Sequence, residues 1–272
     1  MIAYGAGDDA VPRDGHDHHG RRPVTNRLHF DFDGTTVLVT GGTSGIGFAV
    51  AAAFARAGAS VAVTGTRASA DDYDNDLSAF AFHRLEMRDR ESVDALAADL
   101  ERLDVLVNNA GANFPDGRDE WDPDGFSAAL GLNVEGAMRL TVRSRPALAA
   151  SAMSGGASVV NLVSMTAFRS TTVVPGYSAA KAALLALTRN LAAHWAGDGT
   201  RVNAVAPGLI DTPMTAPLKA YPELLEAETG RAIIRRMGTP DEVAAAVLFL
   251  SSDASAFTTG AVLTVDGGYL AY

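Results

Sequence analysis

The sequence predicts an α/β fold in which a parallel sheet is covered on both faces by helices. Three observations carry this. From Thr36 onward, seven short runs rich in Val, Leu, Ala and Thr alternate with helical stretches. Those runs are largely apolar instead of alternating with polar residues, as a strand buried on both faces requires. The first run ends in a glycine-rich turn, Thr40–Gly47, that opens directly into a helix.

Composition sets the outer limits. With 272 residues and 47% hydrophobic content the chain can bury one sizeable core. No Pro- or Ser-rich linker follows residue 35, so residues 31–272 are expected to form a single domain. The absence of cysteine excludes disulfides, thiolate nucleophiles and thiolate metal sites. A formal charge of −10 disfavours nucleic acid and anionic membranes as partners. Apolar runs such as Ala244–Leu250 are far too short to span a bilayer, and the polar N-terminus lacks an apolar signal core, so a cytoplasmic location is expected. Residues 1–30 are dominated by Gly, Asp, His and Arg and predict a disordered tail. His16, His18 and His19 cluster there, but nothing completes a ligand set, and no metal site is expected.

In chain order, Thr36–Thr40 is the first strand, followed by a helix running to Gly58. Ser60–Thr64 is the second strand and Phe80–Leu85 the third. The short acidic segment between them makes a helix there doubtful. A helix over Ser92–Leu100 leads to the fourth strand, within Asp104–Gly111. One long helix is expected over Pro123–Ser151, then a fifth strand within Ser158–Ser164. Arg201–Gly208 and Ala261–Gly268 hold the sixth and seventh strands. They flank a Pro-punctuated segment, Asp211–Arg236, and a helix over Pro240–Leu250.

The central helix is expected over Pro175–Gly197. Proline suits its first turn and Gly197 its end, and Leu184, Leu187 and Leu191 give it an apolar stripe. Tyr177 and Lys181 stand four apart, about 6 Å along one helix face. A phenol of ordinary pKa near 10 is a poor acid or base at neutral pH, and a fixed ammonium beside it is expected to lower that value. The pair is thus a candidate acid/base. In the glycine-rich turn, Gly41 permits the tight bend, Gly45 lets backbone approach a pyrophosphate and Gly47 allows close packing, with the helix N-terminus facing the phosphates.

From about residue 32 to residue 272 the sequence resembles the short-chain dehydrogenase/reductase family. TGGTSGIG at 40–47 is similar to that family's TGxxxGxG, and NNAG at 108–111 to its fourth-strand motif. Asn133, Ser164, Tyr177 and Lys181 match its Asn-Ser-Tyr-Lys set. APG at 206–208 with Thr212, RMGTP at 236–240 and VDGG at 265–268 match later landmarks. The order and spacing of these motifs, more than any one of them, make the resemblance specific. It implies a Rossmann-like, doubly wound, seven-stranded parallel sheet binding NAD or NADP.

The same resemblance implies the chemistry. Hydride passes between nicotinamide and a carbonyl while Tyr177 donates the proton, and Ser164 holds the carbonyl oxygen. Lys181 depresses the tyrosine pKa and bonds the nicotinamide ribose, and Asn133 holds a water leading from Lys181 to solvent. The expected cofactor residues are Gly41, Thr43, Ser44, Gly45, Ile46, Gly47, Thr66, Arg67, Glu86, Met87, Asn109, Ala110, Gly111, Tyr177, Lys181, Pro207, Gly208, Ile210 and Thr212. Glu86 stands where many members carry Asp against the adenine. NADP is favoured over NAD: no acid follows the second strand to bond a ribose 2′-hydroxyl, and Thr66 and Arg67 suit a 2′-phosphate. Ser44, where NADP-binding relatives often carry Arg or Lys, points the other way.

The substrate pocket is expected from Ala112–Phe114, Met165–Phe168, Val173–Val174 and Leu209–Leu218, with Asn113 and Arg169 as polar contacts. A small or medium free alcohol or ketone is the expected partner. The alternatives are a 3-oxoacyl-carrier-protein reductase and a non-catalytic dinucleotide-binding protein. Residues 146–168 and 190–200 lack Lys and Arg, which disfavours an acidic carrier unless Arg139 and Arg169 reach the entrance. Enoyl reductase chemistry is disfavoured because those relatives space Tyr and Lys more widely. A homotetramer or homodimer is expected through the 123–151 helix and the central helix, where Ala128, Ala129, Ala182 and Ala186 would permit close approach.

Overall fold

Seven strands build one sheet: β1 (Thr36–Val39), β2 (Ser60–Gly65), β3 (Ala81–Arg84), β4 (Val105–Asn108), β5 (Ser158–Leu162), β6 (Arg201–Pro207) and β7 (Val262–Val265). This computed structural model describes residues 28–271, so the His16, His18 and His19 cluster lies outside the described residues. One compact unit covers Asp31–Tyr272. The strand order is β3-β2-β1-β4-β5-β6-β7, and all six neighbouring pairs are parallel. Val37 sits level with Val61 of β2 on one side and Val105 of β4 on the other. The order reverses between β1 and β4, which opens a crevice beyond their carboxyl ends.

Helices α1 (Gly45–Arg56), α2 (Arg90–Ala98), α3 (Pro123–Leu130), α4 (Gly136–Arg143), α5 (Arg145–Ala149), α6 (Pro175–Trp195), α7 (Pro222–Thr229) and α8 (Pro240–Ser251) connect the strands. Alternate strand residues face opposite sides of the sheet. Leu38, Leu106, Val159 and Val202 pack with Val93, Leu140, Leu184 and Trp195 from α2, α4 and α6. The fully buried Val37, Val39 and Val105 lie outside that cluster, on the face where α1 packs against α8. Among the described residues no helix is long and apolar enough to cross a membrane.

Two expected helices change. The single helix over 123–151 is three, because Gly131–Glu135 widens into a π turn and Ser144 leaves helical geometry at ψ −1°. Pro146, with no N–H to donate and a ring that crowds the preceding turn, accounts for the second break. The central helix ends at Trp195, and after a short 3-10 turn it is Gly199, at φ 71°, that reverses the chain, not Gly197.

Buried polar side chains lock α6 to the sheet. The Asn108 amide donates to Asn161 Oδ1 and Thr141 Oγ1, both at 2.8 Å, and Asn161 donates to Thr188 Oγ1 at 2.9 Å. The chain therefore runs from α4 through β4 and β5 into α6, and fixes how α6 presents its first turns.

Candidate active site

The turn after β1 is built by hydrogen bonds from both neighbours. Asn109 Nδ2 donates to the carbonyls of Thr40 and Gly41, at 2.9 and 3.0 Å. The Thr64 hydroxyl accepts from Gly41 N at 3.1 Å, and Asn75, on the loop after β2, donates to Thr43 O at 2.9 Å. Gly41 lies at φ 62°, where an L side chain is strained. At Gly47 a Cβ would lie 2.3 Å from Gly41 O, so only glycine lets α1 pack this closely. Ser44 provides α1 with no side-chain cap, unlike Asp89 at α2 or Asp122 at α3. The first-turn amides of α1 thus remain open, and their residues line a cleft of 370 Å³. Open amides at the positive end of a helix, beneath a glycine turn, fit the pyrophosphate of a dinucleotide.

That cleft gathers nearly all the expected cofactor residues: Gly41, Thr43, Ser44, Gly45, Ile46, Gly47, Thr66, Glu86, Met87, Asn109, Ala110, Gly111, Tyr177, Lys181, Pro207, Gly208, Ile210 and Thr212. Arg67 is the exception. Its guanidinium stacks over the Tyr73 ring, 4.9 Å from the centroid, and donates to Asp72 O, so it does not line the cleft. Tyr73 takes its place, and sequence reasoning missed it because only the fold of the acidic loop returns it beneath β2. Its hydroxyl accepts from Arg67 N at 2.8 Å, close beside Gly65. Glu86 lines the cleft, but its carboxylate turns back to accept from Arg88 N at 3.2 Å.

Ser164, Tyr177 and Lys181 line the same cleft. Ser164 opens the turn after β5, its hydroxyl accepting from Thr166 N at 3.1 Å and Thr166 Oγ1 at 3.0 Å. Lys181 is buried and donates to Leu162 O at 2.8 Å, leaving two ammonium protons for a ligand. Asn133 sits in the π turn, fully buried. It donates to Ala112 O and Ala129 O, and its Oδ1 accepts from Ala112 N, so it fixes the backbone after β4 and does not line the cleft. Asn133 and Lys181 nevertheless converge on Gly111, whose Cβ would lie 2.5 Å from Asn133 Oδ1 and 3.3 Å from Lys181 Nζ.

The electrostatics correct one expectation. Burial pushes the Tyr177 phenol up to about 12; the Ser164 hydroxyl opposes this and the Glu120 carboxylate adds to it. Lys181, 5.5 Å from the ring centroid, does not bring the phenol down in the protein alone. Burial instead lowers Lys181 itself, to about 8. Desolvation is the largest influence on both groups and outweighs what their neighbours supply.

Of the expected substrate contacts, Ala112, Ile210, Thr212, Pro213, Met214 and Thr215 line the cleft. Phe168 and Arg169 open instead on a separate 540 Å³ cavity with Arg231, Tyr269 and Leu270. Arg169 stacks on the Tyr269 ring at 4.7 Å, and Arg139 is held by Asp94 at 2.7 Å. Ala129 is buried and unavailable for contacts between subunits.

Comparison with known proteins agrees with this geometry. A family model described as enoyl-(acyl carrier protein) reductase matches residues 41–270. Galactitol 2-dehydrogenase (L-tagatose-forming) of Cereibacter sphaeroides is 39% identical over 251 residues, covering 89% of this chain and 98% of that protein. The Pseudomonas aeruginosa RhlG/NADP active-site complex superposes with a TM-score of 0.79 at 30% identity, over 90% of this chain and 99% of that one. A solved structure described as a short chain dehydrogenase/reductase family protein is 36% identical, with a TM-score of 0.75, over 89% of this chain and 100% of its own. The chain belongs to the short-chain dehydrogenase/reductase family of oxidoreductases.

Proposed function

We propose that the protein interconverts a secondary alcohol and a carbonyl on a small or medium free metabolite, with NADP preferred to NAD. The observation that carries this reading is the cleft itself: Ser164, Tyr177 and Lys181 line the same space as the open N-terminus of α1. When bound there, a nicotinamide dinucleotide supplies or accepts the hydride. The Ser164 hydroxyl donates a hydrogen bond to the carbonyl oxygen and holds it beside the phenol. Tyr177, a phenol held up at about 12, is protonated at neutral pH and hands its proton to that oxygen in reduction. In oxidation it takes the proton back. The two ammonium protons of Lys181 left over from Leu162 O bind the ribose and keep positive charge near the phenol.

The substrate class is supported by the similarity to galactitol 2-dehydrogenase, whose substrate is a free polyol. The description of the family model names an enoyl reductase, but the Tyr177–Lys181 spacing supports alcohol–carbonyl chemistry. Arg139 and Arg169 are occupied elsewhere, which weighs further against an acidic carrier. NADP preference rests on the missing acid after β2 and on Thr66, which lines the cleft there. We place the activity within residues 31–272 and the assembly as a homotetramer or homodimer. Exposed Phe126, Met138 and Val142 on α3 and α4, with exposed Ala182 and Ala186 on α6, support that assembly.

The test is a cofactor-coupled absorbance screen over alcohols and ketones, galactitol included, with both cofactors. Tyr177→Phe should bind cofactor normally and lose at least about 10²-fold in turnover. Wild-type turnover in that variant would remove Tyr177 from the mechanism.

A further inference from the structure

Helix α6 begins without a cap of its own. Val174 offers no side-chain acceptor, and the first turn carries Pro175, Gly176 and Tyr177. The acceptor arrives from 57 residues upstream: Glu120 Oε2 accepts from Tyr177 N at 2.8 Å. Its other oxygen, Oε1, accepts from Phe114 N at 2.8 Å. Phe114 stands at φ 47° in the loop that leaves the cleft after Ala112. Glu120 is completely buried, and a Cβ on Gly176 would lie 3.3 Å from its Oε2 and 2.9 Å from Ala129 Cβ. The next residue adds a second tie, since Trp121 Nε1 donates to Thr172 O at 2.9 Å, just ahead of α6.

A buried carboxylate is costly unless its oxygens are well bonded, and here each meets a backbone donor from a different segment, Phe114 in the loop after β4 and Tyr177 at the start of α6. A surface cap would need neither the burial nor the second bond. The position also carries a penalty, because the Glu120 charge raises the Tyr177 phenol. A mere helix cap would be better served by a neutral Ser or Thr at position 174.

We propose that Glu120 is a positioning residue for the reaction, clamping the start of α6 to the Phe114 loop so that the Tyr177 hydroxyl is held at a fixed place over the cleft. The proposal rests on the reading of Tyr177 as the proton donor. The groups facing the phenol are Glu120 from the loop before α3, Lys181 from α6 and the Ser164 hydroxyl after β5. Removing the Glu120 charge leaves the Ser164 hydroxyl and, well above pH 8, a neutral Lys181 amine, with no negative neighbour, so the phenol ionises at lower pH.

The experiment uses the full chain as wild type, Glu120→Gln, Glu120→Ala and Tyr177→Phe. It measures turnover on the alcohol and ketone panel, NADPH affinity by fluorescence titration, melting temperature, and phenol ionisation by ultraviolet difference against Tyr177→Phe. Both Glu120 variants should bind NADPH within about twofold of wild type yet lose about 10-fold or more in turnover, as a displaced catalytic group does. Glu120→Gln should also move Tyr177 ionisation to lower pH. Wild-type turnover in both, with Tyr177→Phe inactive, would overturn the Glu120 proposal and leave the tyrosine mechanism standing. Activity in Tyr177→Phe would overturn both. A fall in melting temperature with unchanged turnover per folded molecule, or an unmoved ionisation in Glu120→Gln, would reduce Glu120 to a structural buttress and also overturn the proposal.

Discussion

Lys181→Met should change how stability depends on pH, in a direction opposite to that of a surface lysine. Burial holds the Lys181 ammonium down at about 8 against an ordinary 10.5. Its charged form therefore costs the folded state, and the cost is fully present below pH 8. As pH rises from 8 to 10.5 the unfolded chain holds a proton that the folded one has released, so stability rises. At 1.36 kcal/mol per unit the cost is about 3 kcal/mol at pH 7 and about 1 kcal/mol at pH 10. Tyr177 works the other way, its folded value raised from 10.0 to about 12, so its contribution is lost only as pH climbs through that higher range. Urea unfolding of wild type and Lys181→Met at several pH values between 7 and 10 isolates the term, since all other charges are common to both. The stability of wild type relative to the variant should rise by about 2 kcal/mol across that range. An offset from the orphaned Leu162 carbonyl shifts the two curves apart but adds no slope. Parallel curves would refute the reasoning.

Other predictions follow from single contacts. Isothermal titration should show tighter NADPH than NADH binding, and the reverse order would overturn the NADP preference. Thr239→Ala should cost about 1 kcal/mol in urea unfolding, because Thr239 and Glu242 form a reciprocal cap on α8. Arg236 and the Thr239 amide hold Glu242 down at about 2 from 4.5, so its stabilisation is present above 4.5 and lost as pH falls toward 2. Glu242→Gln should therefore unfold less steeply in acid than wild type, and an unchanged acid transition would contradict this. Gly47→Ala should abolish dinucleotide binding or folding, because no room exists between α1 and Gly41 O; a variant that binds NADPH normally in fluorescence titration would show that the turn can move.

The inner strands were legible because burial on both faces writes a largely apolar run, as in Val105–Asn108 and Ser158–Leu162, whereas the edge strands β3 and β7 are partly exposed. The glycine turn and the Tyr177–Lys181 pair were legible because one-turn geometry depends only on spacing along the chain. Where a local signal was weak, boundaries slipped: Pro146 marked a break that the helical run around it masked. Four features belonged to tertiary structure alone. Arg67 leaves the cleft because the loop after β2 folds a ring beneath its guanidinium. Asn133 serves the backbone because a π turn carries it inward. Glu120 reaches Tyr177 across 57 residues of chain. The phenol rises although a lysine stands one turn away, because the sign of a pKa shift is set by the balance of desolvation against nearby charge. Spacing along a chain can bring two groups within reach, but how much water is excluded from them is decided by every segment that folds over them.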